Sequence, residues 1–189
     1  KVGYRPNNSW SFDLGLHYSQ TSDVPRYDRL IRPADNEAGL QSAEWEYGPQ
    51  IWGMGNLLVS HRGTEAFYDR VKLSVAYQFF EESRKDRNFQ DPIRFKTQEQ
   101  VDAYSLNLDF ENGKIGNFNL FYGVEYVLNQ VGSEGSEENI LTVEQSPGPS
   151  RYPDDSLWMS LAAYANSTVR LEPNLTLLGG LRYSHFWID

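Results

Sequence analysis

Apolar and polar residues alternate along most of this chain with a period of two. From Trp10 to Ser19 every even position is large and apolar (Trp10, Phe12, Leu14, Leu16, Tyr18), and every odd one is small or polar. Successive side chains of a strand point to opposite faces, so the segment predicts a strand with one wholly apolar face. The pattern returns in Val71–Phe79, where Val71, Leu73, Val75, Tyr77 and Phe79 alternate with Lys72, Ser74, Ala76 and Gln78. It returns again in Tyr104–Phe110, in Phe118–Leu128 and, with more noise, in Leu157–Leu171 and Leu175–Tyr183. Ile51–Ser60 is strand-like, but its apolar residues fall on both parities, and the outward face stays open. A helical period appears nowhere with comparable strength. The chain thus predicts about seven strands, several of them longer than the soluble mode of about five to six residues.

The connections alternate too. Long polar stretches (Thr21–Glu46, Glu81–Gln100, Gly132–Ser156) take turns with short ones (His61–Phe67, Glu111–Asn117, Glu172-Pro173-Asn174). In an antiparallel meander, alternate connections emerge on opposite edges. All long loops therefore lie on one side and all short turns on the other, as in outer-membrane barrels. Ten residues at ~3.3 Å each, tilted by ~45°, rise about 23 Å, close to the apolar band of such barrels. Aromatics near the strand ends (Trp10, Tyr18, Phe80, Phe110, Phe118, Tyr126, Trp158, Trp187) suit interfacial girdles. The competing architecture is a soluble extracellular β-sandwich that binds glycans through its aromatic residues, since half-buried strands alternate in the same way.

Composition narrows the choice. The 189 residues carry 17 Lys+Arg against 26 Asp+Glu, a net charge of −9, which argues against nucleic acid as a partner. With no cysteine there is neither a disulfide framework nor a thiolate metal site. No apolar run approaches the ~18 residues of a membrane-crossing helix, which leaves strands as the way through a bilayer. The sequence opens on Lys1, as a mature or internal piece would. Seven strands are too few for a closed bacterial barrel. The first and last are expected to pair with residues beyond this segment, because an open edge in lipid costs several kcal/mol per unpaired group.

Particular residues then carry a family likeness. Thr21-Ser22-Asp23-Val24-Pro25-Arg26-Tyr27-Asp28-Arg29-Leu30 follows a greasy strand, and Glu44-Trp45-Glu46-Tyr47-Gly48-Pro49-Gln50 comes next. Ala76-Tyr77-Gln78-Phe79-Phe80-Glu81-Glu82-Ser83-Arg84 stands with Arg87 and Phe89. After it come Glu99–Phe110, Tyr122-Gly123-Val124-Glu125-Tyr126 and Gly180-Leu181-Arg182-Tyr183-Ser184. In this order and spacing the chain resembles the mid-barrel region of TonB-dependent outer-membrane receptors, more closely the branch that takes up haem from haemoproteins. The resemblance implies an all-β fold, an antiparallel meander forming part of a transmembrane β-barrel of about 22 strands. Residues 1–189 would be one section of the barrel domain. It also implies a plug domain elsewhere in the receptor, the TonB complex acting through that plug, membrane lipid as solvent, and a small-molecule or haemoprotein ligand captured outside a bacterial outer membrane. Haem-type receptors carry a Phe-Arg-Ala-Pro and Asn-Pro-x-Leu region, expected further along the barrel. Glu172-Pro173-Asn174-Leu175 looks similar but sits at a short turn and reads as a β-turn.

Candidate chemistry is sparse. His17, His61 and His185 fall on or beside separate strands with no close acidic spacing, so no metal site and no cofactor are expected. No nucleophile elbow or phosphate loop occurs, and the pairs Glu137-Glu138 and Asp154-Asp155 read as solvated acids, so no catalytic residues are assigned. Binding residues gather on loops held by a rigid scaffold. The segment Gly132–Ser156 has six acidic residues against Arg151, whereas Glu81–Gln100 balances five basic with five acidic. The latter suits an anionic ligand better: Arg84 and Arg87 form a candidate clamp for a carboxylate or phosphate, or else part of an ion-pair lattice stiffening the loop. Tyr27 and Tyr152 are candidates for stacking on a flat ligand. Asp13, Lys72, Gln78, Asn107, Asp109, Asn119, Glu125 and Arg182 should face the lumen and hydrogen-bond the plug or water.

Overall fold

The computed structural model describes residues 1–35, 39–63, 67–115 and 118–189. The remaining positions of the turns His61–Phe67 and Glu111–Asn117 lie outside the described residues. Each alternating segment is a strand: β1 Val2–Tyr4, β2 Trp10–Gln20, β3 Val24–Pro25, β4 Ser42–Arg62, β5 Arg70–Asn88, β6 Ile93–Ile115, β7 Phe118–Asn139, β8 Gln145–Pro147, β9 Ser156–Glu172 and β10 Leu175–Ile188. A four-residue helix, α1, spans Tyr27–Leu30. All ten strands join one sheet of order β1-β2-β4-β5-β6-β7-β9-β10, with β3 beside β4 and β8 beside β7. Every pairing is antiparallel.

Register fixes which side chains share a face. Leu14, Leu57, Val75, Leu106, Tyr126 and Leu161 lie directly opposite one another across six strands. They are between 37% and 48% exposed, so nothing among the described residues covers them. Phe12, Val59, Leu73, Leu108, Val124 and Ala163 form the neighbouring apolar rung. Leu57 and Val59 thus settle the parity of the Ile51–Ser60 strand: odd residues join the apolar face. The sequence hid this because Trp52, Met54 and Leu58 on the other face are apolar as well. Among the described residues Ala162 is the only fully buried apolar side chain, and no second sheet packs on either face. A sandwich core is therefore absent from the described residues, and the glycan-binding sandwich loses its structural basis.

The apolar face has an aromatic border at the short-turn end, where Trp10, His61, Val71, Phe110 and Tyr122 form a rung. Phe110 stacks on Tyr122 at 5.1 Å between centroids, and Tyr122 donates its hydroxyl to the Phe67 carbonyl at 2.6 Å. Such amphipathic rings suit the boundary between hydrocarbon and water. Three members of the expected girdle fall elsewhere: Tyr126 lies on the central apolar rung beside Leu106, and the other two are on the polar side. Phe80 and Trp158 have the parity of the opposite face, directly beside Trp52 and Asn129 respectively along their rungs.

The largest departure from the sequence reading concerns the long connections. Strand β5 does not end at Phe79 but continues to Asn88, β6 starts at Ile93, β7 runs on to Asn139, and β4 starts at Ser42. The ladder therefore extends well past the apolar band as a collar, on the side where all long connections lie. Both faces of these extensions are mostly polar, with single apolar residues such as Trp45 and Phe95 among charges, so the period-two signal fades while the backbone pairing persists. β4 bends where its register shifts between Tyr47 and Gln50, at Gly48-Pro49. Gly48 holds φ +110°, a conformation that L side chains rarely adopt, and a Cβ there would sit 2.5 Å from the Ser22 carbonyl oxygen.

Candidate functional site at the mouth of the polar face

The face opposite the apolar one carries the polar candidates. Asp13, Ser74, Asn107 and Glu125 lie on one rung with Leu58 and Ala162. Lys72, Asp109 and Arg182 lie on the next, with Ser60, Gly123 and Tyr164. Gln78 and Asn119 have the same parity on other rungs. The charges are matched locally: Asn107 donates to Glu125 at 3.3 Å, Arg182 pairs with Glu125, and Lys72 meets Glu111 at 3.2 Å. Asp13 stands 3.6 Å from Lys1 and 3.8 Å from Arg5. Tyr164 lies across Gly123 and donates its hydroxyl to Asp109. A Cβ on Gly123 would meet that hydroxyl at 2.7 Å and the Leu108 carbonyl oxygen at 2.6 Å. The glycine is what lets the ring close down on the sheet.

Arg84 and Arg87 are on β5, not in a loop, and do not form a clamp. Residues three apart on a strand point to opposite faces. Arg87 joins a lattice on the outer face of the collar: its Nε donates to Glu44 at 3.0 Å, and Arg94 donates to the same carboxylate at 2.6 and 3.0 Å. Arg94 and Lys96 then meet Glu138. The Arg94 hydrogen bond, then that of Arg87, holds the Glu44 carboxyl below the usual carboxylate range. Lys96, followed by Arg94, does the same for Glu138. Asp86 differs: burial alone pushes its carboxyl up. Tyr27 sits at the start of α1, exposed, beside Arg26, whose guanidinium lies 5.0 Å from the Trp45 ring and is clamped by Asp28. Tyr27 is on a different stretch of the rim from Tyr152 and does not share its cavity.

Arg84 and Tyr152, by contrast, come together. One rung above Phe80 on the polar face, Gln50, Glu82, Glu99 and Ser133 lie opposite one another. Arg84 donates its Nε to Glu82 at 2.6 Å, and Gln50 donates to Glu82 at 2.9 Å. The segment before β9 folds over this rung. Ser133 Oγ accepts from the backbone N–H groups of Arg151 (3.2 Å) and Tyr152 (3.1 Å), and Ser133 N–H donates to Asp154 at 2.9 Å. The result is a cavity of about 390 Å³ whose polar lining is Glu82, Arg84, Glu99, Arg151 and Tyr152. Sequence reasoning singled out Arg84 and Tyr152 but missed Glu99 and Arg151. Nothing local distinguishes Glu99 from the chain's other acids, and only the fold of residues 148–155 over it gives it an unusual setting.

The three histidines remain apart. His17 packs on Trp52 on the polar face, whereas His61 with Trp10 and His185 with Trp187 are on the apolar one, each pair at 4.4 Å. Among the described residues no three His, Cys, Asp or Glu side chains gather to hold a metal ion. Glu172 and Leu175 are paired across the two-residue turn Pro173-Asn174, as its sequence suggested.

No protein-family model matches the sequence, and a search of the curated proteins finds no match. Among solved structures the chain is similar to the copper transporter OprC, with a TM-score of 0.71 at 15% identity. That likeness covers 96% of this chain and 27% of the transporter, so the chain spans about a quarter of its length. With one meander sheet, one uncovered apolar face and one polar face, the fold is a section of transmembrane β-barrel wall.

Proposed function

We propose that the chain is a wall section of a TonB-dependent receptor in a bacterial outer membrane, taking up a scarce nutrient by binding and gated translocation rather than by bond chemistry. The observation that carries this reading is the uncovered apolar face of a single ten-stranded sheet. Such a face is stable only where hydrocarbon wets it. The likeness to a transporter's barrel supports the same class. In this reading the paired charges of the polar face meet a plug domain or lumen water, the free edge of β10 accepts the next strand of the wall, and the collar stands outside the cell.

The finer reading, haem or haemoprotein ahead of siderophore or cobalamin, rests on the sequence resemblance. The copper of the similar transporter is not carried over, because the described residues assemble no set of metal ligands. The test is growth of haem-auxotrophic, iron-starved and cobalamin-auxotrophic hosts, each carrying the full-length receptor and each offered only the nutrient it lacks. Rescue by haem that disappears when the TonB complex is deleted supports both levels. Rescue by a siderophore or cobalamin alone removes haem but leaves the receptor class, whereas TonB-independent uptake of every nutrient overturns the class.

A further inference from the structure

Glu99 is an anomaly that the barrel wall does not need. The residue is 5% exposed, and both carboxylate oxygens are buried without a hydrogen-bond partner. A buried carboxylate left unpaired is costly, and retained ones face a cation or a donor. Its cross-strand neighbour Glu82 takes the nearby donors, with Arg84 Nε at 2.6 Å and Gln50 at 2.9 Å. Arg151, on the other side of the same cavity, is the reverse case. Its closest acid is Glu82 with Nη1 4.0 Å away, and its guanidinium lies 5.3 Å from the Tyr152 ring. The cavity thus presents one unpaired acid and one loosely held base, with Phe80, Val101 and Val131 as apolar wall.

We propose that this cavity binds a small zwitterion of the short-peptide class, its carboxylate on Arg151, its apolar side chain against Phe80, Val101 and Val131, and its ammonium on Glu99, whose carboxylate turns into the cavity on binding. A bare metal ion fits poorly, because a divalent cation asks for several oxygen ligands and Glu82 is already engaged. A simple organic cation leaves Arg151 unanswered and places a like charge beside it. A dipolar ligand answers both groups, and about 390 Å³ is within the range of small-ligand sites. Arg151 and Tyr152 are held to Ser133 through their backbone, so the segment that carries both side chains is positioned before the ligand arrives.

The inference rests on the receptor reading for the identity of the lumen face and adds a second ligand class beside the haem reading. The test is calorimetric titration of glycylleucine into the full-length receptor in detergent, with heat-modifiable gel mobility reporting the barrel separately. Saturable binding is expected for glycylleucine. It should weaken at least tenfold for N-acetyl-glycylleucine, for glycylleucinamide, and for the Glu99→Gln and Arg151→Gln receptors, since each removes one charge-assisted contact. The blocked peptides need no variant, so the result does not hang on a substitution that folds badly. A folded barrel that ignores glycylleucine, or binds the blocked peptides equally well, overturns the zwitterion site and leaves the receptor reading standing. Loss of heat-modifiability in the wild type counts against the barrel itself.

Discussion

Replacing Leu106 by arginine asks which solvent wets the apolar face. Leu106 lies on β6 four residues from Phe110, in the aromatic border, and four from Asp102, the first charged residue of that parity. Four residues at ~3.3 Å span about 13 Å along the strand, or about 10 Å of depth at a tilt of ~40°. The side chain is therefore near the middle of a band about 25 Å tall, where arginine costs about 2–4 kcal/mol. Were the face in water, a substitution at a 39% exposed leucine would stay within about 0.5 kcal/mol. Ser74→Arg, on the polar face of β5, is the control, and Tyr104→Arg, one rung nearer the collar, should cost less than Leu106→Arg. Reversible denaturant titration of the full-length receptor in lipid vesicles reads all three. The expected shift for Leu106→Arg is a roughly 30- to 1,000-fold loss in the folding constant. Equal shifts for Leu106→Arg and Ser74→Arg would refute a hydrocarbon-wetted face.

Three further outcomes are expected. Gly123→Ala pushes a methyl into the Leu108 carbonyl and the Tyr164 ring, so the folded barrel should lose about 1–3 kcal/mol, checked by the same titration, and Tyr164→Ala made with it should recover part of the loss. Ser133→Ala removes the acceptor of two backbone N–H groups, so amide exchange at Arg151 and Tyr152 should quicken by about fivefold, corresponding to about 1 kcal/mol, while β7 and β9 stay protected. Glu44 and Glu138 hold their protons less tightly in the collar than in an unfolded chain. Their stabilisation is complete above the ordinary glutamate value of 4.5 and is lost as pH falls through the lowered folded values, whereas Asp86, with its carboxyl pushed up, contributes at low pH and loses that contribution as pH rises. Exchange protection in Ser42–Tyr47 and Ile93–Thr97 should therefore drop on acidification, and Glu44→Gln should flatten that dependence.

The wall was legible wherever lipid and lumen impose opposite demands on neighbouring residues, as between Leu73 and Ser74 or Leu106 and Asn107. It blurred at Ile51–Ser60, because Trp52, Met54 and Leu58 place apolar groups on the polar face as well. It vanished in the collar, where water meets both faces and Arg84 and Arg87 look alike in sequence although the pleat turns them apart. The site was half legible. Arg84 and Tyr152 drew attention as an arginine in a balanced segment and a tyrosine beside proline. Glu99 owes its isolation to contacts made by residues some fifty positions later in the chain, and no local period encodes them.

In the proposed receptor, the extended ladder above the apolar band would also bear on how cargo is admitted. Strand β5 carries backbone pairing from Phe80 to Asp86 on both sides, broken on the β4 side only by the shift opposite Ser83, about 20 Å further along the strand. A rim knitted together this way resists clamping shut around a visitor, since each step of bending would break inter-strand bonds. In that proposed receptor, entry would be a matter of dimensions and charge at a standing orifice, and capture should follow simple second-order kinetics, with no slow isomerisation after the encounter.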